Sequence, residues 1–252
     1  MPDPAFLALA AGAGFVGGSM NALAGGGTFA TLPALLALGL PANVANATSN
    51  VALLPGAATS AWSFRDELAP LNGLSIRALA AITFVSGLLG SVLLVLTPTR
   101  TFDLIIPWLV LYAFVVLAFG KRASDWLRAR VTIGVPTLVA VQVFLGIYGG
   151  YFGGGVGLMM TATYGLLAGL HPRQLFAPRT LMLAVANAAA AIVFVVAGLV
   201  VWWACLPMLA GAVLGGWAGA HLGKRLPHGL VRAWTLLVTA ATTAVFFWRA
   251  YA

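Results

Sequence analysis

Charged residues are so sparse in this chain that long stretches contain none. Residues 4–64 form an uncharged stretch of 61 residues, and residues 131–172 and 180–223 form two more. Charged side chains make up 7% of the 252 residues, whereas soluble domains carry roughly 25%. So few charges cannot cover a globular surface with polar groups, so the surroundings of the chain must be lipid. This excludes a cytosolic enzyme, a secreted domain and a disordered tail.

The uncharged stretches predict the number of helices. One helical crossing takes about 20 apolar residues, and on this measure the chain divides into ten segments. They are residues 5–24, 28–40, 44–64, 74–96, 102–119, 131–150, 156–170, 175–199, 201–222 and 230–248. The second and seventh are short, which predicts half-helices or re-entrant pieces. We therefore expect an all-α integral membrane protein with about eight to ten transmembrane segments, some of them broken or re-entrant.

The basic residues predict the orientation. If the segments alternate in direction, eleven of the 13 Lys and Arg residues fall on one side of the membrane. These are Arg65, Arg77, Lys121, Arg122, Arg128, Arg130, Arg173, Arg179, Lys224, Arg225 and Arg232. The positive-inside rule makes that side cytoplasmic and places both termini on the periplasmic side of a bacterial inner membrane. The net charge of +8 is thus explained by the basic residues that set the orientation in the membrane. We therefore expect the lipid bilayer, and no nucleic acid, as a partner.

The two halves of the chain resemble each other. Each contains Gly-x-x-Gly-Gly, then three glycines in a row, then an apolar segment that ends in Gly-Leu and a proline, then a threonine that opens a long apolar stretch. We expect one membrane domain of two five-segment repeats, residues 1–120 and 131–252, joined by a basic cytoplasmic linker at residues 121–130. Five crossings per half would make the repeats inverted, and matching glycine interruptions in inverted repeats indicate a transport site near the middle of the bilayer.

Three strings suggest a family. GFVGGSMNALAGGGTF starts at Gly14, GLPANVANATSN starts at Gly39, and GGYFGGGVG starts at Gly149. The order of these strings, their repetition in the two halves and their spacing resemble those of the sulfite exporter TauE/SafE family of membrane permeases. The resemblance covers nearly the whole chain. It implies transport of small anions, chiefly sulfite, sulfoacetate and related organosulfur compounds, across the bacterial inner membrane.

The glycine clusters are the first candidates for the substrate site. They comprise Gly25, Gly26 and Gly27 in the first half and Gly153, Gly154 and Gly155 in the second. Three glycines break a helix, and freed backbone groups at membrane depth need protein, water or substrate as partners. The helix end that follows such a break carries a partial positive charge, which suits an anion. Thr28, directly after the first cluster, is a further candidate, while the alternative for the glycines is close helix packing.

Uncharged polar residues supply the next candidates. Asn46, Thr48, Ser49 and Asn50 form the most polar run of the apolar first half, at or near the start of the third segment, and Asn187 lies well inside the eighth. Uncharged donors bind a small oxyanion without trapping it. The alternative for the run of four is capping of a helix N-terminus.

Arg179 is the sharpest single candidate because it opens a 44-residue uncharged stretch. Its guanidinium offers two parallel donors to an oxyanion, and an ionisable residue at membrane depth is a functional candidate. The alternative is one more cytoplasmic positive charge. Thr180, which pairs with Thr48 in the repeat, joins the candidate set.

Several residue types are absent from the spans. No Asp or Glu lies between Asp3 and Asp66 or after Asp125, the three His are dispersed, and Cys205 is a lone cysteine. We therefore expect no cofactor, no metal site and no carboxylate proton relay. The function expected is an exporter or permease of small organic or sulfur-containing anions, such as sulfite or sulfonates, by alternating access. The alternatives are an anion channel, a membrane-embedded enzyme and a structural subunit.

A last pattern concerns packing. Gly211, Gly215, Gly219 and Gly223 repeat every four residues in the ninth segment. Such a strip of small residues allows close helix approach. It predicts either packing within the chain or the face of a homodimer.

Overall fold

The computed structural model describes residues 3–128, 134–168, 172–223, 226 and 228–251, with side chains at 3–120, 134–165, 174–222, 226 and 229–251. Within these residues the protein has ten α-helices, two short 3-10 turns and no strand. The helices are α1 Pro4–Leu23, α2 Thr28–Ala37, α3 Ala42–Ser63, α4 Ile76–Leu96, α5 Thr99–Arg128, α6 Val135–Tyr151, α7 Val156–Ala168, α8 Phe176–Val196, α9 Trp202–Gly223 and α10 His228–Tyr251.

The all-helical fold and the division into ten segments match the prediction from charge spacing. Six helices are long and apolar enough to cross a membrane, namely α1, α4, α5, α8, α9 and α10. The 10-residue α2 is about 15 Å long, and the 13-residue α7 is about 20 Å long. Both are shorter than a bilayer core of about 30 Å. The chain is a multi-pass membrane protein.

Two boundaries differ from the prediction. α5 was expected at residues 102–119 but extends over Thr99–Arg128, because hydropathy marks where lipid contact ends and a helix can continue beyond that point. Residues 121–128 of the expected linker therefore belong to α5. α3 begins at Ala42 with Pro41 as its N-cap. The polar run of four thus lies inside the helix, and the alternative that it caps α3 is wrong.

Part of the predicted charge pattern cannot be placed. Seven of the basic residues assigned to the cytoplasmic side have side chains outside the described part of the chain: Lys121, Arg122, Arg128, Arg130, Arg173, Lys224 and Arg225. Of the others, Arg232 donates from Nη2 to the carbonyl oxygen of Ala118 at 3.0 Å, which ties α10 to α5.

The helices pack in pairs that correspond between the two halves. α1 packs along α9, and α6 packs along α4. α3 contacts α8 and α9, while α8 contacts α3 and α4. α5 contacts α10 and α7, while α10 contacts α5 and α2. For each of these packed pairs, replacing both helices by the ones five places away in the chain gives another packed pair.

Glycines allow the α1–α9 pair to approach closely. A Cβ atom added at Gly14 or Gly18 would overlap the carbonyl of Met208 or Ala212 on α9. From the other side, Cβ atoms at Gly211 and Gly215 would overlap backbone of α1, and one at Gly219 would come within 2.8 Å of Ser19. These three members of the predicted glycine strip thus pack within the chain, as small residues do in membrane helix pairs.

The α4–α6 pair is built in the same way. A Cβ atom at Gly90 would overlap the carbonyl of Ile147, and one at Gly150 would overlap the carbonyl of Gly87. Two helix pairs, each joining a helix of the first five to one of the second five, therefore depend on backbone-to-backbone contact. They hold α1 and α6 in fixed positions up to the residues where these two helices end.

Candidate functional site

The first glycine cluster ends α1. After Leu23 the N–H groups of Ala24 and Gly25 both donate to the carbonyl of Met20, at 2.8 and 3.0 Å. Gly25 has φ +85°, a left-handed conformation that costs a residue with a Cβ about 1–2 kcal/mol. The chain then turns through Gly26 and Gly27, and α2 begins at Thr28, which is buried.

The second cluster ends α6 with the same geometry. The N–H groups of Phe152 and Gly153 both donate to the carbonyl of Tyr148, at 2.9 and 3.3 Å. Gly153 and Gly155 have φ +73° and +74°. Gly154 lies between them, and α7 begins at the next residue. The two triple glycines are therefore two equivalent helix breaks.

The two breaks touch. A Cβ atom added at Gly25 would lie 2.5 Å from the Cα atom of Gly157, at the start of α7. A Cβ atom at Gly155 would lie 2.8 Å from the ring of Phe29, at the start of α2. The first turns of the two short helices thus pack against the opposite break. The partial positive charges that helix N-termini carry are gathered at this contact.

Arg179 reaches the end of α1. Its Nη2 atom donates to the carbonyl oxygen of Ala22 at 2.8 Å, and Nη1 donates to that of Leu23 at 3.4 Å. The guanidinium carbon lies 4.5 Å from the centre of the Phe176 ring. A cation is favourable at the negative end of a helix. The side chain is buried, and within the described part of the chain its Nε atom has no hydrogen-bond partner.

Asn46 occupies the corresponding position at the end of α6. Its Nδ2 atom donates to the carbonyl oxygen of Tyr151 at 3.1 Å. Each broken helix is therefore capped by a residue of the other half, because Arg179 belongs to α8 and Asn46 to α3. These reciprocal caps are the most specific contacts between the two halves at the breaks.

Asn50 and Asn187 complete a cluster of three amides. Asn50 Nδ2 donates to Asn187 Oδ1 at 3.5 Å, and it would lie 3.0 Å from a Cβ atom added at Gly153. All three asparagines are buried, yet no described residue hydrogen-bonds to the Oδ1 atoms of Asn46 and Asn50. We call Asn46, Asn50, Asn187 and the end of α6 the amide cluster.

The other predicted residues have different neighbours. Thr48 Oγ1 accepts the N–H of Val201 at 3.1 Å, directly before α9. Ser49 Oγ lies 2.5 Å from Thr31 Oγ1 on α2. Thr180 donates to the carbonyl of Phe176 at 2.8 Å, within its own helix. The geometry therefore brings together the glycine breaks, Arg179 and the three asparagines. The hydroxyls of Thr48, Ser49 and Thr180 each have a different hydrogen-bond partner.

A cavity of about 290 Å³ opens elsewhere, between α2, α5 and α10. Its lining includes Arg100, Asp103 and Arg249, and the last two form an ion pair at 3.9 Å. None of the residues predicted for the site lines it. The breaks themselves are tightly packed in this conformation.

The whole-chain comparisons identify the family. The family description "Sulfite exporter TauE/SafE" matches residues 10–246. The chain belongs to the sulfite exporter TauE/SafE family. A probable membrane transporter protein of Haemophilus influenzae is 28% identical over 231 residues, which cover 92% of this chain and 90% of that protein.

Two further relatives of this TauE/SafE member carry similar names. The probable membrane transporter protein YfcA of Escherichia coli K12 is 27% identical over 97% of this chain and 90% of its own length. The probable membrane transporter protein ORF9 of a Sinorhizobium species is 28% identical over 96% and 93%. No solved structure matches. The chain is therefore a member of a membrane transporter family, as its motifs predict.

One buried hydrogen-bond network of this TauE/SafE protein was not predicted from the sequence. Tyr164 donates to Gln142 Oε1 at 2.8 Å, and Gln142 Nε2 donates to Thr83 Oγ1 at 2.6 Å. All three are fully buried and join α7, α6 and α4. Gln142 could have indicated this network from the sequence, because it lies inside the uncharged stretch 131–172 and a side-chain amide in lipid needs a hydrogen-bond partner.

Two more polar side chains support the first break. Asn21 Oδ1 accepts the N–H of Gly27 at 2.6 Å, and Thr31 Oγ1 donates to the carbonyl of Gly27 at 3.3 Å. Both side chains hold the turn between α1 and α2 in one conformation. Their spacing of six and four residues from Gly27 becomes informative only once the helix ends are known.

Proposed function

We propose that this protein is a secondary transporter of small organic or sulfur-containing anions, such as sulfite or sulfonates. The observation that carries the proposal is the pair of helix breaks in contact, each capped from the other half and flanked by buried polar atoms without partners. Buried polar groups are nearly always hydrogen-bonded. Unpartnered ones beside two broken helices are what a ligand site in a transporter requires.

The substrate site in this proposal lies at the contact between the breaks. The N-termini of α2 and α7 supply partial positive charge, and Arg179 supplies a full charge with a donor, Nε, that has no partner. Glycines let the backbone approach the anion. Nothing in this set is specific for sulfur, so the substrate class follows from the family.

The architecture in this proposal is a pair of inverted repeats. It is supported by the correspondence between packed helix pairs of the two halves and by the two equivalent breaks. With ten basic residues besides Arg179 on one side and Arg100 and Arg249 on the other, both termini lie in the periplasm and the protein lies in the inner membrane.

The reciprocal caps suggest how access alternates. Movement of one half against the other must separate Arg179 from Ala22 and Leu23, or Asn46 from Tyr151. An anion bound at Arg179 replaces the carbonyl acceptors that the guanidinium loses. The substrate thereby lowers the free energy of the state in which the caps are open. A ligand-driven conformational change requires such tighter binding to one of the two states.

The test is flux of a panel of anions through purified protein in liposomes, with sulfite, thiosulfate, sulfoacetate, lactate and chloride. The proposal expects saturable flux of at least one sulfur-containing or organic anion, accelerated by unlabelled anion on the opposite side. Non-saturable flux without such acceleration would identify a channel instead. Failure of every anion, with protein shown to be folded, would overturn the proposal.

A further inference from the structure

Two buried acceptors in the amide cluster lack a donor. Asn46 and Asn50 are 1% and 4% exposed, and the Oδ1 atom of each has no hydrogen-bond partner among the residues that the structure describes. Their orientations are defined, because both Nδ2 atoms already face oxygen acceptors on Tyr151 and Asn187. Rotating either amide by half a turn would set oxygen against oxygen.

The two amides lie near the same helix end. Asn46 and Asn50 lie one turn apart on α3, so their side chains project from the same face of the helix. Asn46 contacts Tyr151, the last residue of α6, and Asn50 lies beside Gly153, two residues further on. The end of a helix carries about half a negative charge on its last carbonyls. The two amides therefore lie beside a negative helix end, with Asn46 Nδ2 on its last carbonyl and the Oδ1 atom of each amide without a partner among the described residues.

This set of groups favours a monovalent cation. All of the oxygens are neutral, since α3, α6 and α8 contain no Asp or Glu. Ca²⁺ and Mg²⁺ sites are built with carboxylates, whereas carbonyls at the ends of broken helices coordinate Na⁺ in secondary transporters. Arg179 caps α1, the other broken helix, and so does not occupy this end.

We propose that Asn46 and Asn50, with the C-terminal end of α6, form a Na⁺ site and that the ion binds together with the transported anion. This rests on the proposed function. A cation at the end of α6 offsets the charge of an anion near Arg179, which lowers the cost of holding the anion at membrane depth. It also gives the two orphan oxygens the partner that they lack.

Binding is tested on the full-length protein in detergent, without transport. Melting temperature is measured in NaCl, KCl and choline chloride at equal ionic strength, together with binding of ²²Na⁺. The expected result is a saturable rise of the melting temperature in Na⁺ alone, and ²²Na⁺ that excess cold Na⁺ displaces. Identical melting curves in all three salts and no displaceable ²²Na⁺ would overturn the proposal and leave water as the partner of both oxygens.

Variants locate the ion. Asn50→Leu removes the oxygen at similar size and should abolish the Na⁺ effect, whereas Asn50→Asp keeps an oxygen and should retain it. Asn43→Leu is the matched control: it lies on the same helix, but its Oδ1 accepts from Thr99 and from the N–H of Val44 at 3.0 Å each. A Na⁺ effect that survives in Asn50→Leu contradicts the assignment. If Asn50→Leu does not fold, the assignment is tested by the melting temperatures of the wild type and Asn50→Asp in the three salts.

Flux separates this inference from the proposed function. Anion exchange in liposomes should fall at least 10-fold when choline replaces Na⁺ on both sides. Equal flux in the two cations would contradict joint binding and leave the anion transporter standing. Displaceable ²²Na⁺ with no flux of any anion would leave the cation site standing and remove the proposed function.

Discussion

Arg179 combines a structural contact with an unused donor. Its two terminal nitrogens cap α1, while Nε faces no acceptor. From the sequence its depth and charge could be predicted, because it opens the longest uncharged stretch of the second half. Its acceptors could not be predicted, since Ala22 and Leu23 lie more than 150 positions away and come close only when α8 packs beside the end of α1.

Replacement of Arg179 should reduce transport. Hydrogen bonds of a charged group are worth about 1.5–3 kcal/mol, so Arg179→Ala should lower anion flux about 10- to 100-fold. Arg179→Lys keeps the charge without the forked geometry and should raise the KM more than it lowers the maximal rate. Arg77→Ala, at an exposed position, is the control. An unchanged KM and rate in Arg179→Ala would remove Arg179 from the site.

Thr48 should behave differently from the asparagines. Its hydroxyl accepts the N–H of Val201 before α9, so Thr48→Val leaves that donor unpaired at a cost of about 1–3 kcal/mol. We expect a lower melting temperature with the KM for the anion unchanged. A raised KM at unchanged melting temperature would instead place Thr48 in contact with substrate.

At the scale of elements, the glycine breaks are the features that the sequence revealed most directly. Triple glycines at matching positions predicted two interruptions, and the structure has one after α1 and one after α6. The boundaries of α5 and α3 were missed, because lipid thickness limits the apolar stretch and not the helix. The contact between the breaks also could not be predicted, since it depends on how the two halves pack.

Two glycines with the same backbone conformation test that contact. Gly25 and Gly39 have φ +85° and +83°, but an added Cβ would meet the backbone of Gly157 at 2.5 Å in the first case and nothing within 4 Å in the second. Both Gly→Ala changes carry the left-handed penalty of about 1–2 kcal/mol. We expect Gly25→Ala to lower the melting temperature further and to abolish flux. Equal effects of the two substitutions would mean that the breaks do not touch.

A second pair of glycines on α1 tests the α1–α9 packing. A Cβ atom at Gly18 would overlap the carbonyl of Ala212, whereas one at Gly12 would meet nothing within 4 Å. Gly18→Ala should therefore destabilise the protein, and Gly12→Ala should raise stability by about 0.5–1 kcal/mol. The measurement is thermal unfolding in detergent. Similar unfolding of both variants would contradict this packing.

At the scale of the molecule, the distribution of basic residues predicts the orientation. In a Cys205→Ala background, Pro98→Cys tests the loop before α5 and Glu67→Cys the loop after α3; both positions are exposed. A maleimide that cannot cross the membrane should label Pro98→Cys in cells whose inner membrane is intact. It should label Glu67→Cys only after the membrane is broken. The reverse labelling pattern would mean that the protein has the opposite orientation in the membrane.

The direction of transport depends on whether Na⁺ accompanies the anion. An anion that moves alone is driven outward by a membrane potential that is negative inside. An anion that moves together with Na⁺ follows the sodium gradient, which drives uptake wherever internal Na⁺ is low. With the proposed Na⁺ site occupied during transport, the amide cluster sets the direction of transport as well as the affinity for the anion.

In the proposed function, the two capped helix breaks form one carrier site for a small anion. The most direct measurement is exchange of labelled sulfite and labelled sulfoacetate by the purified protein in liposomes, with and without unlabelled anion inside. We expect saturable entry that internal anion accelerates and that Arg179→Ala reduces about 10- to 100-fold. Entry that does not saturate, is indifferent to internal anion and is unchanged in Arg179→Ala would contradict it.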